Sequence, residues 1–213
     1  MNKLQKGDLV KIELSGSLVS DGSLFESTDE KEAKDAGIWS NASKYGPRLV
    51  IFGKGAMIAG IEEELSKIEV GKEVEIIVPA SKAFGEKHQE LVRVMPEKEF
   101  ASHGVRAQAG LMVTIDGVPA MVKSASSGRI MLDFNHPLAG QDLKYKIKLL
   151  EIISEPEKKA HELAAQFGCD VKVEGEGKGI SVILPKDVEA SKRKGLEAAL
   201  KASLGEWAKI GYA

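Results

Sequence analysis

Asp133-Phe134-Asn135-His136-Pro137-Leu138-Ala139-Gly140-Gln141-Asp142-Leu143 is the stretch on which the reading of the fold turns. A run rich in turn formers passes directly into an alternating strand, Asp142 to Ile153, with Leu143, Tyr145, Ile147 and Leu149 on one face. A similar half-buried strand lies near the N-terminus, where Val10, Ile12 and Leu14 alternate with Lys11 and Glu13. Asp21-Gly22 is a turn, and Leu24-Phe25 begins the return strand. The charged segment from Asp29 to Ala36 reads as a surface helix ending at Gly37. A third strand, Leu49 to Phe52, lies between Pro47 and Gly53. The glycines of Gly53-Lys54-Gly55 form a loop, and a helix follows with Ile58, Ile61, Leu65 and Ile68 on one stripe. Val74, Ile76 and Val78 then mark a fourth strand that stops at Pro79.

Between Glu86 and Arg129 the texture changes to a meander of short hairpins. Leu91 to Met95 is strand-like, Pro96 opens a short helix, and Asp116-Gly117 and Ser126-Ser127-Gly128 turn between further strands. Beyond Ser154 the pattern is helix, hairpin, helix. Ser154-x-x-Glu157 reads as a capping box with Pro156 in the first turn. Asp187 is expected to cap a last helix with the stripe Leu196, Leu200, Leu204 and Trp207, and Trp207 is expected in the core or at a dimer contact.

Composition narrows the function classes. The chain has 213 residues and 22.9 kDa, enough for one large domain or two small ones. A hydrophobic share of 43% with 29% charged residues is that of an ordinary globular protein and excludes a disordered chain. A net charge of -2 draws the chain toward neither nucleic acid nor an anionic membrane. The single cysteine, Cys169, has no internal partner, so a reducing, cytoplasmic setting is expected, with the thiol as a small hydrophobe on a strand edge. No secretory h-region or membrane-length apolar run is present, and the four histidines show no metal-type spacing. Phosphate-binding loops and nucleophile elbows are also missing, so no cofactor or metal is expected.

Four motifs stand in order: Asp21-Gly22-x-x-Phe25-Glu26, then Gly53-x-Gly55-x-Met57-Ile58-x-Gly60-Ile61-Glu62-Glu63, then Lys82-Ala83-Phe84-Gly85, then the run from Asp133 to Leu143. Together they resemble the FKBP-type peptidyl-prolyl isomerases, specifically the SlyD-like branch, and the layout is similar to that of the archaeal long-type members. The resemblance covers residues 1–153; for 154–213 it rests on length and layout. It implies an α+β fold: an antiparallel sheet wrapped on a short helix with an apolar cleft between them, an inserted β-rich domain and a small α/β C-terminal domain. The implied boundaries are 1–85 with 131–153 for the catalytic domain, 86–130 for the insert and 154–213 for a C-terminal αββα unit.

The resemblance also assigns cleft positions. Phe25 and Glu26 match an aromatic–acid pair at the cleft edge, Glu standing for the usual Asp. Met57 and Ile58 match a pair whose second backbone N–H bonds a substrate carbonyl. Ile61 matches the floor, often Trp. Phe84 stands where Tyr is common, Tyr145 where the last strand has Phe, and Leu14 where the first strand has Tyr. His136 and Leu138 lie where the flap returns. An apolar site suits the chemistry: rotation about a peptide bond costs about 18–20 kcal/mol because it destroys amide resonance. The twisted amide has less charge separation than the planar one, so a dry cleft favours it.

For the insert, Val92, Val94, Met95, Phe100, Leu111, Val113, Val118, Met121 and Val122 are candidate contacts for extended, unfolded polypeptide. The other reading makes the same residues the core of an ordinary small domain; the resemblance favours the binding site. The expected partners are unfolded or proline-containing client chains, with a homodimer through the C-terminal domain as a further expectation. The rival reading is a holdase chaperone with a weak or vestigial cleft, motivated by Phe84, Ile61 and Leu14. Metal handling ranks low because the sequence shows no His-rich tail.

Overall fold

The computed structural model describes residues 4–101, 106–175, 180–185, 188–205 and 208–212. The N-terminal part runs β1 (Leu9–Leu18), β2 (Leu24–Ser27), α1 (Glu30–Asp35), β3 (Arg48–Ile51), α2 (Ala59–Leu65) and β4 (Glu73–Val78). The middle runs β5 (Val92–Pro96), α3 (Glu97–Ala101), β6 (Met112–Ile115), β7 (Val118–Ser126) and β8 (Arg129–Asp133). The remainder runs β9 (Leu143–Ile153), α4 (Pro156–Gln166), β10 (Lys172–Glu174), β11 (Ser181–Leu184), α5 (Ala190–Leu204) and β12 (Lys209–Tyr212). Two compact units result: residues 1–78 with 143–213, and residues 79–142.

The first unit is built on a five-stranded antiparallel sheet in the order β2-β1-β9-β4, with β3 also paired to β1. Alternation along β9 works as read: Leu143, Tyr145, Ile147 and Leu149 are all buried, as are Val10, Ile12 and Leu14 on β1. Helix α2 crosses the sheet at β4 through Gly60. A Cβ there would lie 2.4 Å from Val78 Cγ1, so only glycine permits this approach.

The C-terminal segment completes the first unit. Leu9 and Ile153 share one buried cluster with Leu163, Ala164, Val182, Leu196 and Leu200. A buried ion pair, Lys159 Nζ to Asp8 Oδ1 at 3.0 Å, joins α4 to the residue before β1. Ser203 Oγ donates to the Gly7 carbonyl at 2.8 Å. The expected αββα unit carries a further strand: β12 follows α5 and lies parallel to β11. A parallel neighbour needs a long crossover, and α5 supplies it. The capping box is not formed; Glu155 takes the cap position without a side-chain bond, and Pro156 starts the helix. Cys169 lies in the α4–β10 connection rather than on a strand edge, its Sγ 3.5 Å from the Ala164 carbonyl. Burial, with Asp170 beside it, raises its thiol pKa. Trp207 and Asp187 lie outside the described residues.

The second unit is a four-stranded antiparallel sheet in the order β5-β8-β7-β6, with Phe100 of α3 in its core beside Val113, Ile115, Ala120, Val122, Ile130 and Leu132. The unit is wider than the expected 86–130. Val92–Val94 pair with Asp133–Met131, so residues 131–133 belong to the insert sheet rather than to the catalytic segment. No helix among the described residues is long and apolar enough to cross a membrane.

Candidate functional site

Register brings three residues of the first unit into one row. Glu26 on β2 lies opposite Gly16 on β1, which lies opposite Tyr145 on β9. Because Gly16 has no side chain, the Tyr145 hydroxyl reaches across it and donates to Glu26 Oε1 at 2.7 Å. Arg48 of β3 pairs with the other carboxylate oxygen, Oε2, at 3.3 Å. The Phe25 ring meets Tyr145 edge-on, with centroids 5.8 Å apart and planes at 86°. A Cβ on Gly16 would fall 2.7 Å from Phe25 Cζ and 2.8 Å from Tyr145 Cε1. Burial, then the negative Glu26, raises the Tyr145 phenol well above its usual range, so the hydroxyl keeps the proton it donates to Glu26.

Next in that row, across β9, stands Ile76 of β4. Helix α2, seated on β4 through Gly60, presents Ile61 at 3% exposure, with Met57 and Ile58 half-buried just before it. Ile58 holds extended backbone at the N-cap while its carbonyl accepts from Ile61 N and Glu62 N. Among the described residues its own N–H has no hydrogen-bond partner. Leu14, by contrast, is enclosed in the core at 4% exposure, its backbone held on both sides by Thr28.

The remaining three cleft candidates lie in the second unit. Phe84 stacks flat on His136, with ring centroids 4.1 Å apart and planes within 3°. His136 Nδ1 accepts from Leu138 N at 3.1 Å, which fixes the orientation of the ring. The chain leaving the insert is stitched to the chain entering it. Asn135 donates to the His88 carbonyl and accepts from His88 N, both at 2.9 Å, and Gly140 N donates to the Gly85 carbonyl. Asp133 bonds Lys87 Nζ at 2.9 Å and accepts from both Asn135 nitrogens. Burial pushes the Asp133 pKa up, but Lys87 and Asn135 outweigh it and bring it down to about 2. Phe84, His136 and Leu138 therefore sit on a braced ribbon, and the polar residues of the Asp133–Leu143 run are its braces.

The insert candidates divide by face. Phe100, Val113 and Val122 are core and offer nothing to a partner. Met95 packs half-buried against the same core. Val94, Leu111, Met112 and Val118 are exposed, and Val92 and Met121 are half-buried. Met131, passed over in the sequence, is 39% exposed and lies directly opposite Val94. Its signal was present: it is the outward residue between Ile130 and Leu132 in an alternating strand. A groove of about 380 Å³ also opens between β5 and the β6–β7 turn, floored by Leu132 and Phe134 and flanked by Arg93, Asp116 and Val118.

Comparison with known proteins agrees with this geometry. Residues 1–105 match the model of the FKBP-type peptidyl-prolyl cis-trans isomerases, and residues 93–138 match that of the FKBP26 IF domain. The chain is 33% identical over 152 residues to a short-type peptidyl-prolyl cis-trans isomerase of Methanocaldococcus jannaschii, covering 71% of this chain and 96% of that one. It is 31% identical to the isomerase SlyD of Helicobacter pylori, covering 61% of this chain and 72% of that one. SlyD of Escherichia coli is 33% identical, over 50% of this chain and 56% of its own. With the antiparallel sheet, the short helix on it and the motifs in order, the chain belongs to the FKBP-type peptidyl-prolyl cis-trans isomerases and is SlyD-like.

Proposed function

We propose that the chain catalyses cis–trans isomerisation of X-Pro bonds in unfolded or partly folded proteins, and that its insert holds those clients without ATP. Uncatalysed exchange takes tens to hundreds of seconds, and no bond is made or broken. The task is to favour the twisted amide, and each 1.4 kcal/mol of such preference gives about a tenfold rate gain. Apolar walls of Phe25, Ile61 and Tyr145 suit that demand, and the unpartnered Ile58 N–H supports a role in holding a substrate carbonyl. No side chain acts as an acid or base.

The observation that carries the holding half is the apolar outer face of the insert sheet, with Val94 at 59%, Met112 at 49% and Met131 at 39% exposure. Tethering a client there makes its encounter with the cleft intramolecular and raises its effective concentration. Protein clients are then served far better than short peptides. The single, half-buried Cys169 supports a reducing, cytoplasmic setting.

The test is catalysis of a proline-limited refolding reaction, full chain against a version with residues 89–134 replaced by a short turn. The paired hydrogen bonds between His88 and Asn135 hold the two ends together, so a turn can join them. Refolding catalysis should fall at least tenfold while tetrapeptide isomerisation is largely kept. No acceleration by the full chain, with client aggregation suppressed, leaves the rival holdase reading, which the enclosed Leu14 and the hydroxyl-free Phe84 favour.

A further inference from the structure

The outer face of the insert sheet carries three methionines, one on each of three neighbouring strands. Met112 on β6 lies directly opposite Met121 on β7, and Met121 lies opposite Asp133 on β8. Met131 is two residues before Asp133 on the same face; it lies opposite Ser124 of β7, beyond a bulge that follows Val122, and opposite Val94 of β5. Direct cross-strand neighbours have Cβ atoms about 5 Å apart, so Met112 touches Met121, and Met131 touches Val94, on the same outer face. Each of these methionines points away from core residues next to it in sequence: Val113, Ala120 and Val122, Ile130 and Leu132 are all buried. The thioethers at 112 and 131 are thus open to solvent, whereas Met95 packs against the core.

Resting on the client-holding reading above, we propose that Met112, Met121 and Met131 form an oxidation site, and that hydrogen peroxide switches client capture off there. Thioethers make an adaptable apolar surface. The sulfide sulfur gives an electron pair to one oxygen of hydrogen peroxide; the O–O bond breaks, an S–O bond forms, and the departing hydroxide takes the proton carried on the transferred oxygen and leaves as water. Sulfur loses two electrons and the peroxide gains them. The sulfoxide is a polar acceptor in place of an apolar group. A client lying on the face must strip water from it, and an unpaired polar group of this kind weakens association about tenfold to a hundredfold. Reduction by methionine sulfoxide reductases restores the thioether, so the change is reversible.

The full chain is treated with hydrogen peroxide, oxidation at each methionine is followed by peptide mass spectrometry, and affinity for a reduced, carboxymethylated unfolded protein is measured beside tetrapeptide turnover. Met112 and Met131 should oxidise ahead of Met95. Client affinity should fall about tenfold or more, and reductase treatment should restore binding; any change in tetrapeptide turnover reports the cleft methionine, Met57, separately. A variant carrying Met112→Leu, Met121→Leu and Met131→Leu should keep its own untreated affinity after peroxide. Unchanged client affinity with Met112 and Met131 fully oxidised overturns the proposal, as does equal loss in the triple variant. Failure of the untreated chain to bind the client overturns instead the holding function itself, and is read before any oxidant is added.

Discussion

The Tyr145 hydroxyl donates to Glu26 Oε1 at 2.7 Å from two strands away, over the bare backbone of Gly16. The family pattern puts a hydroxyl-bearing ring at the Leu14 position and a plain phenyl at the Tyr145 position. This chain has an aliphatic residue at the first position and a hydroxyl-bearing ring at the second, so the hydroxyl beside Glu26 comes from the last strand. Tyr145→Phe keeps the ring but leaves the Glu26 carboxylate without this donor. A hydrogen bond to a charged group contributes about 1.5 kcal/mol, so tetrapeptide kcat/KM should drop roughly tenfold. Refolding of the variant, checked by circular dichroism, should remain complete. Unaltered turnover would mean that the bond serves the fold and not the cleft.

The same pair sets an alkaline limit. Burial and the Glu26 charge raise the Tyr145 phenol above its unfolded value, so the neutral form is favoured in the folded state. That contribution is complete below about pH 10, the phenol's unfolded value, and is lost as pH rises beyond it. Urea midpoints of the natural chain should decline above that pH more steeply than those of Tyr145→Phe.

Gly16 is required for space, not for an unusual backbone angle. Gly16→Ala drives a methyl into both Phe25 and Tyr145. Overpacking of this kind costs about 2 kcal/mol, which lowers Tm by about 6 °C for a chain of this size. Phe25→Leu in that background should recover part of the loss. A Gly16→Ala protein with the natural Tm would show that the two rings move aside freely.

Alternation made the main sheet readable, because β9 and β1 each set an apolar face against a charged one: Ile147 beside Lys146 and Lys148, Ile12 beside Lys11 and Glu13. In the insert the contrast fails. Ile130, Met131 and Leu132 are all apolar, so the pattern announces a strand without saying which face is core, and Phe100, Val113 and Val122 looked as available as Val94. Nor does a two-residue period say which sheet a strand joins, which is why the expected boundary at 130/131 cuts through β8. The bond from Tyr145 to Glu26 depends on register across three strands, information that single-strand patterning lacks. The interior glycine in Leu14-Ser15-Gly16 was the available hint of close approach. The final strand, β12, is four residues long and includes Gly211, too short and too weakly patterned to announce itself.

The C-terminal segment should not be separable from the sheet it packs on. Asp8 accepts from Gln5 N and pairs with Lys159, whose side chain is 9% exposed. Asp8→Ala strands that ammonium in a nearly closed site, and breaking a buried pair from one side costs about 3 kcal/mol. Replacing both partners, Asp8→Leu with Lys159→Met, should restore most of it, since nothing charged is then left unpaired. A double-mutant cycle in urea measures this. Equal losses in the single and double variants would mean that packing, not the charge, carries the effect.

Acid should loosen the root of the insert before the rest of it. Asp133 has its folded pKa lowered from 3.8 to about 2, because Lys87 and Asn135 outweigh its burial. A carboxylate with a depressed folded pKa contributes stability above its unfolded value and loses it as pH falls toward the folded one. The contribution here is about 2 kcal/mol, intact above about pH 5 and gone near pH 2. Asp133→Asn removes the titration, and the half-exposed Lys87 turns to solvent. The variant should start about 2 kcal/mol less stable at neutral pH and lose less of its remaining stability between pH 5 and 2. Hydrogen exchange of the β5 and β8 amides reads this locally, because Val92 lies opposite Asp133. Equal pH slopes in the two proteins would place the acid sensitivity of the insert elsewhere, and would leave the Lys87–Asp133–Asn135 cluster as a neutral brace.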